Sequence, residues 1–351
     1  MSPAFLQQIR FSMSRKPRLR AGSGITMHDV GQAAGVSAIT VSRALNTPDR
    51  VSPALRDKIM QVVEQLGYVP NRSARQLASA RSRTVLVLIP SLSNTVFIDA
   101  LAGIEAVLQA AGYQMLIGNT HYSSDEELAL LRAYLQHSPD GLLVTGLTQH
   151  EAFRQIVERQ SLPAVYMMDL SEDGRPCVGF SQEAAGACMT QHLLARGKRR
   201  IAFMGAQLDE RVLKRLAGYR LALQQAGCHD PALEWLNPAP SSMQMGADML
   251  DALLAAHPSC EAVFCCNDDL AIGAIARCQQ RGIALPGQLA IGGFNDLQSA
   301  AWTTPPLSSI ATPRFEIGQA AARMLLQQIE GQPLSHGRLD LGFQLLQRSS
   351  T

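Results

Sequence analysis

From Thr84 onward, short continuous apolar runs alternate with longer amphipathic stretches, and this alternation leaves few folds open to the chain. Residues 85–89, 113–117, 141–144 and 163–167 are apolar runs of strand length, and residues 95–111, 125–137 and 149–159 between them carry helical spacing. A strand that is apolar on both faces must be covered on both faces, which a parallel sheet flanked by helices achieves. The pattern then recurs, with strands at 200–204, 262–265 and 289–293 and helices at 212–226 and 268–281. The expectation is an α/β body of two doubly wound parallel-sheet subdomains in tandem, with a cleft at the carboxyl ends of the strands.

The chain before Thr84 follows other rules. A helical pattern over Met27–Ala34 is interrupted by Gly35 and followed by Val36-Ser-Ala-Ile-Thr-Val-Ser-Arg-Ala-Leu-Asn46. Thr26 and Asp29 have capping-box spacing, and Ser37 is placed to cap the second helix. Val36, Val41 and Leu45 share one face of that helix, which leaves Thr40, Ser42, Arg43 and Asn46 outward. Two short helices across a glycine turn make a helix-turn-helix, whose second helix enters a DNA major groove. Ser52 and Pro53 begin a third helix that Gly67 ends, with Leu55, Ile59, Val62, Val63 and Leu66 as its apolar stripe. Residues 73–79 are too few to hold a helix in water, so they read as a linker that becomes helical when something orders it.

Charge separates the same two regions. The chain has 31 Lys+Arg and 29 Asp+Glu, yet the first 83 residues hold 13 of the former and 4 of the latter. A basic head on an acidic body is the balance of a nucleic-acid-binding module joined to an unrelated domain. The seven cysteines are odd in number and lack paired spacing, which suits a reducing cytoplasm; Cys265 and Cys266 read as small core residues. No run approaches the ~20 apolar residues of a membrane span, so no membrane partner is expected. The basic start, with Arg15, Lys16, Arg18 and Arg20, lacks the apolar core of a secretory signal. A periplasmic sugar-binding protein would need that signal. An enzyme would need a phosphate loop, a nucleophile elbow or zinc spacing, and none is present. Both classes are set aside, and neither a catalytic residue, a metal nor a cofactor is expected.

Four motifs in order carry a resemblance to a known family. They are Asp29-Val30…Ala34-Gly35-Val36-Ser37…Thr40-Val41-Ser42-Arg43, then Gly67-Tyr-Val-Pro-Asn-Arg72, then Asn267-Asp268-Asp269-Leu-Ala-Ile-Gly273, then Gly292-Gly-Phe-Asn-Asp296. On them the chain resembles the LacI/GalR family of bacterial transcriptional repressors, from about Ile25 to Phe343. Pro90-Ser-Leu-Ser-Asn94, Leu208-Asp-Glu-Arg211 and Leu339-Asp-Leu-Gly-Phe343 are more narrowly similar to the gluconate-utilisation repressors of that family. The resemblance implies a disordered basic arm (1–24), a helix-turn-helix three-helix domain (25–70) and a hinge helix or linker (71–83). An effector-binding and dimerisation domain of periplasmic-binding-protein-like build (84–351) would follow. Its first subdomain would take about 84–180 and 311–338, its second about 181–310 and 339–351.

For DNA, the resemblance places the second helix in the major groove. Ala38 and Ile39, being apolar, are suited to thymine methyl groups, and Arg43 is left to read a guanine. Thr40, Ser42 and Asn46 have the short polar side chains that reach phosphates. Thr26, Ser37, Asn71 and Arg72 are carried over as further DNA-binding positions, and Leu77 as the minor-groove wedge of the hinge. Hinge helices act in pairs, so a cytoplasmic homodimer on a palindromic operator is implied, with a tetramer left open.

For the cleft, the resemblance implies a small effector between the subdomains. Arg215 would anchor it, and a guanidinium fork suits a carboxylate. Arg211 would add a second positive charge. Ser91, Ser93 and Asn94 follow the first strand, and Asn267, Asp268, Asn295 and Asp296 follow later strands, where amides and carboxylates can meet polyol hydroxyls. Asp169 and Phe180 match further cleft positions. The family's tryptophan near Ser241-Ser242 is missing, which favours an open-chain sugar acid, gluconate or a derivative, over a stacked pyranose ring. Whether it acts as inducer or corepressor stays open at this stage.

Overall fold

The computed structural model describes residues 25–68 and 81–351, which belong to two compact units, one up to Ala80 and one from Arg81. The expected basic arm, and Asn71, Arg72 and the wedge Leu77 of the expected hinge, lie outside the described residues.

In the smaller unit, helices α1 (Met27–Ala34), α2 (Ala38–Asn46) and α3 (Pro53–Leu66) enclose Val30, Ala34, Val41, Ala44, Ile59 and Tyr68. The turn between α1 and α2 rests on two glycines with different duties. Gly35 closes α1 in the left-handed region at φ 72°, where a Cβ is costly. Gly31, inside α1, lies so close to the start of α2 that a Cβ there would stand 2.8 Å from the Val36 carbonyl oxygen and 3.3 Å from the Ala38 nitrogen. The angle between the two helices is thus set by backbone touching backbone. Tyr68, just beyond the end of α3, is buried with this core.

The larger unit holds two six-stranded sheets. The first takes the segments 338–340, 177–179, 164–167, 141–145, 84–89 and 114–119 in that spatial order, all parallel, and the second takes 344–346, 308–311, 290–295, 262–265, 201–206 and 234–237, parallel apart from the antiparallel edge pair of 308–311 with 344–346. Strands β1 (Thr84–Ile89), β2 (Gln114–Asn119), β3 (Gly141–Thr145), β4 (Ala164–Met167) and β5 (Cys177–Gly179) alternate with α4 (Thr95–Ala110), α5 (Ser124–Tyr134) and α6 (Glu151–Arg159). Then α7 (Gln182–Ala195), β6 (Ile201–Ala206), α8 (Glu210–Gln225), β7 (Glu234–Asn237) and α9 (Met243–Ala256) open the second subdomain. It continues with β8 (Ala262–Cys265), α10 (Asp268–Arg281), β9 (Ala290–Asn295) and β10 (Ser308–Ala311). The chain then returns: α11 (Arg314–Ile329) packs on the first sheet and on α4, and β11 (Arg338–Asp340) pairs with β5. It crosses once more into β12 (Gln344–Leu346).

Two features differ from expectation. The second crossing back does not fall after residue 338: Leu339 and Asp340 stay in the first sheet opposite Val178 and Gly179, and the chain joins the second sheet only at Gln344. The alternating Arg338-Leu339-Asp340 extends the first sheet's edge, and the chain turns at Gly342 with φ 68°. Helices α7, α9 and α11 are absent from the periodicity reading. In α7, buried Gln182, Ala185, Gly186, Met189, Thr190 and Leu193 mix polar, small and apolar types, so burial leaves no simple apolar stripe.

The contact at Gly31 gives a direct test. Gly31→Val should separate α1 from α2 and unfold a unit whose core is already minimal, while the body is untouched. Hydrogen exchange on the full chain would then show protection lost over 27–66 and kept over 84–346; retained protection at 27–66 would show that the two helices do not depend on this approach.

Candidate functional site

On the smaller unit, the residues expected to meet DNA divide into those occupied by the helices' own ends and those turned outward. Thr26 is committed to its capping box: its hydroxyl and its N–H both donate to Asp29 Oδ2, each at 2.7 Å. Ser37 caps α2, accepting from the Thr40 N–H at 3.2 Å, and the two hydroxyls lie 3.0 Å apart. Ala38, Thr40 and Ser42 are half-buried, and Asn46 is the last residue of α2. Ile39 is 65% exposed and Arg43, one turn on, is exposed beside it. Among the described residues nothing engages the Arg43 guanidinium.

In the body, the strands' carboxyl ends surround a cavity of about 150 Å³. Seven of the expected residues line it: Ser91, Ser93, Asn94, Arg211, Arg215, Asn267 and Asn295. The first three form a hydrogen-bonded loop after β1. Ser91 Oγ accepts the N–H groups of Ser93 and Asn94 at 3.2 Å, and Asn94 caps α4 while its amide donates to the Tyr122 hydroxyl at 3.3 Å. Opposite them, Asn267 caps α10 and shares two hydrogen bonds with Ser241, at 2.8 and 3.0 Å.

Arg215 is the centre of the site. It is 8% exposed, yet no carboxylate among the described residues pairs with it. Its Nε donates to Gln182 Oε1 at 2.8 Å, its Nη1 donates to the Cys266 carbonyl at 2.7 Å, and its guanidinium lies over the Phe294 ring, 3.8 Å from the centroid. Burial pushes its pKa down to about 10, which leaves it charged at neutral pH. Helix α7 touches the backbone of α8 at this residue: a Cβ on Gly186 would stand 2.3 Å from the Arg215 carbonyl oxygen. Gln182 passes the contact on, donating to the Met168 carbonyl at 2.8 Å. Arg211 differs from the expected second free charge. Asp209 pairs with it at 2.5 Å and also caps α8, so the charge is already matched.

Four expected residues do not reach this cavity. Asp268 is fully buried behind it, where its carboxylate accepts from Ser309 Oγ at 2.7 Å and from the Leu297 N–H at 2.6 Å; burial pushes its pKa up to about 7. Its neighbour Asp269 lines the cavity instead, because consecutive helix residues point in different directions. Asp296 turns away to Arg348 at 2.7 Å. Asp169, on the first subdomain, pairs with Lys214 of the second at 2.5 Å. Phe180 lies behind Arg215, stacked on Phe294 with centroids 6.3 Å apart. Phe97, Tyr122, Gln207, Asp209 and Asp269 are lining residues that sequence reasoning missed. Asp209 sits inside a motif that had been recognised; Tyr122, at φ 60° after β2, gave no sequence signal.

A second cavity adjoins the first over the ends of β1, β2 and β3. Glu127 of α5 lines it, and burial pushes that carboxyl up to about 7 against the opposing hydrogen bond from Gln149. No group of His, Cys, Asp or Glu among the described residues is placed to hold a metal, and no helix there is long and apolar enough to cross a membrane.

Known proteins share this arrangement over most of the chain. The family of periplasmic binding proteins and sugar binding domains of the LacI family matches residues 82–340, and the bacterial regulatory proteins of the lacI family match residues 26–71. The HTH-type transcriptional regulator GntR of Pseudomonas aeruginosa is 50% identical over 327 residues, 93% of this chain and 95% of that one. Its Escherichia coli counterpart is 38% identical over 323 residues, 91% and 96% of the two chains. The crystal structure of transcription regulator GntR from Chromobacterium violaceum superposes with a TM-score of 0.75 at 67% identity, covering 76% of this chain and 98% of that one. These relatives are regulators and not enzymes. Both regions of the chain, the helix-turn-helix and the two-sheet body, match models of one family, and the protein belongs to the LacI family of bacterial transcriptional regulators.

Proposed function

We propose that the protein represses genes of sugar-acid catabolism, acting in the cytoplasm as a homodimer on a palindromic operator and leaving it when a sugar acid such as gluconate fills the cleft. The observation that carries this reading is Arg215, a buried cation with which no carboxylate among the described residues makes an ion pair, Asp209 acting on it only at longer range while paired with Arg211. A buried charge without a counter-ion is costly, and an acid ligand supplies the missing partner together with a two-pronged hydrogen bond. Around it, Ser93, Asn94, Asn267 and Asp269 offer donors and acceptors for hydroxyls. The gluconate-repressor motifs and the regulators named GntR support the same ligand class.

Binding at the cleft has a physical route to the chain's entry into the body. Ser82 and Arg83 are fixed by their N–H groups to Asp140 at 2.8 and 3.0 Å, and Arg81 donates to the Ile329 carbonyl at 3.0 Å. Movement of the first subdomain on ligand closure therefore moves the anchor of the linker that precedes it. A hundredfold loss of operator affinity requires a coupling free energy of about 2.7 kcal/mol, and operator must weaken sugar-acid binding by the same factor.

Arg215→Leu should yield a protein that binds operator as before and does not release it in gluconate. Retained operator binding is itself the check that the variant folds. Release as ready as that of the wild type would remove Arg215 as anchor, and tighter DNA binding of the wild type in gluconate would make the ligand a corepressor. At the other end of the molecule, Arg43→Ala should weaken binding to the specific operator by about 1–3 kcal/mol and affect random duplex far less. Competition gel shifts on the two duplexes decide it, equal losses meaning that Arg43 holds only phosphate.

A further inference from the structure

The cavity over β1, β2 and β3 measures about 280 Å³, against about 150 Å³ for the space at Arg215, and the two share Tyr122, Asp209 and Arg211 in their walls. Its inner surface is built from hydroxyls and amides, Thr120, Ser123, Thr145 and Gln149 among them, grouped about Glu127. Glu127 is 7% exposed, with Gln149 as the partner of its carboxyl. That amide is itself shared: its nitrogen donates to the Gly146 carbonyl at 3.2 Å and its oxygen accepts from Arg175 at 3.1 Å. A carboxyl has room for more partners than one amide supplies, and buried polar groups are as a rule satisfied. The single cation in the wall, Arg211, is spent on Asp209, so the compartment offers nothing to balance an anion. It suits an uncharged chain of hydroxyls.

We infer that this compartment is a second subsite, which receives the polyol tail of an open-chain sugar acid whose carboxylate lies on Arg215, and that Glu127 is the specificity-determining residue that hydrogen-bonds the far hydroxyls. The inference rests on the sugar-acid reading above. It explains why the larger space lies beyond the anchor: a short acid fills only the part near Arg215, whereas a six-carbon chain continues past Tyr122 toward Glu127.

Calorimetry on the full chain with gluconate and with threonate, its four-carbon analogue, tests this. The wild type should bind gluconate at least about tenfold more tightly, the worth of one or two buried hydrogen bonds. Glu127→Leu should cut gluconate affinity about tenfold and leave threonate within about twofold, whereas Glu127→Gln, which keeps shape and hydrogen bonding, should retain most of the preference. Operator binding reports folding, and Thr145→Val, which removes a hydroxyl from the same wall, replaces Glu127→Leu should that variant lose it. Equal affinity of the wild type for the two acids overturns the subsite and leaves the sugar-acid reading standing. So does equal loss of both acids in a folded variant, or a Gln variant as impaired as the Leu one. A wild type that binds neither acid overturns the sugar-acid reading and the subsite with it.

Discussion

A guanidinium buried against neutral partners governs the design of the body. Arg215 is held by a carbonyl, an amide and an aromatic face, none of which carries a full negative charge. Removing a cation from water costs several kcal/mol even after relaxation, and three neutral contacts recover only part of that. The surrounding fold makes the position tolerable by fixing it: α7 packs backbone to backbone on α8 through Gly186, and the end of β8 presents the Cys266 carbonyl. An anion bound in the cleft, as proposed, would offset that cost.

The same residue is linked to segments where the chain passes between the sheets. Gln182 joins Arg215 to the Met168 carbonyl at the end of the first sheet, and Phe180, Phe294 and Phe343 gather where chain segments pass between sheets. One ion pair spans the subdomains nearby, Lys214 to Asp169; Arg314, on the first subdomain, pairs with Asp99 of the same subdomain at 2.8 Å and donates across to the Asn295 carbonyl. Neither pair is wholly buried, so each holds its neighbours in register more than it adds stability. Together they give the cleft a defined resting state from which a ligand can displace it.

The sequence made the strand–helix alternation legible because each of the first sheet's central strands is a continuous apolar run, and it made the helix-turn-helix legible through caps and glycines whose spacing is local. What stayed hidden is what depends on other parts of the chain. The three-residue β5 and β11 depend on their neighbours in the sheet, β5 lying between β4 and β11 and β11 having β5 alone as its partner. Choosing Asp269 over Asp268 as the cleft-facing carboxylate needs the direction of α10 relative to Ser309, which residue order alone does not give. Arg211 and Asp209 were both within a recognised motif, but their mutual neutralisation is a matter of side-chain geometry across one helix end. Glu127 had no signal, since an acidic residue in the first turn of a helix ordinarily faces water.

The three passages of the chain between the sheets have a consequence for how the body can be divided. Each sheet is completed by a strand that arrives after the other sheet has been visited: β11 closes the first, β12 the second. The first subdomain therefore corresponds to no contiguous fragment, and a cut anywhere between β5 and β10 parts its sheet from the edge strand β11 and from the covering helix α11. The body is indivisible in the way a braid is. The smaller unit, by contrast, is contiguous in the chain and shares no strand with the body.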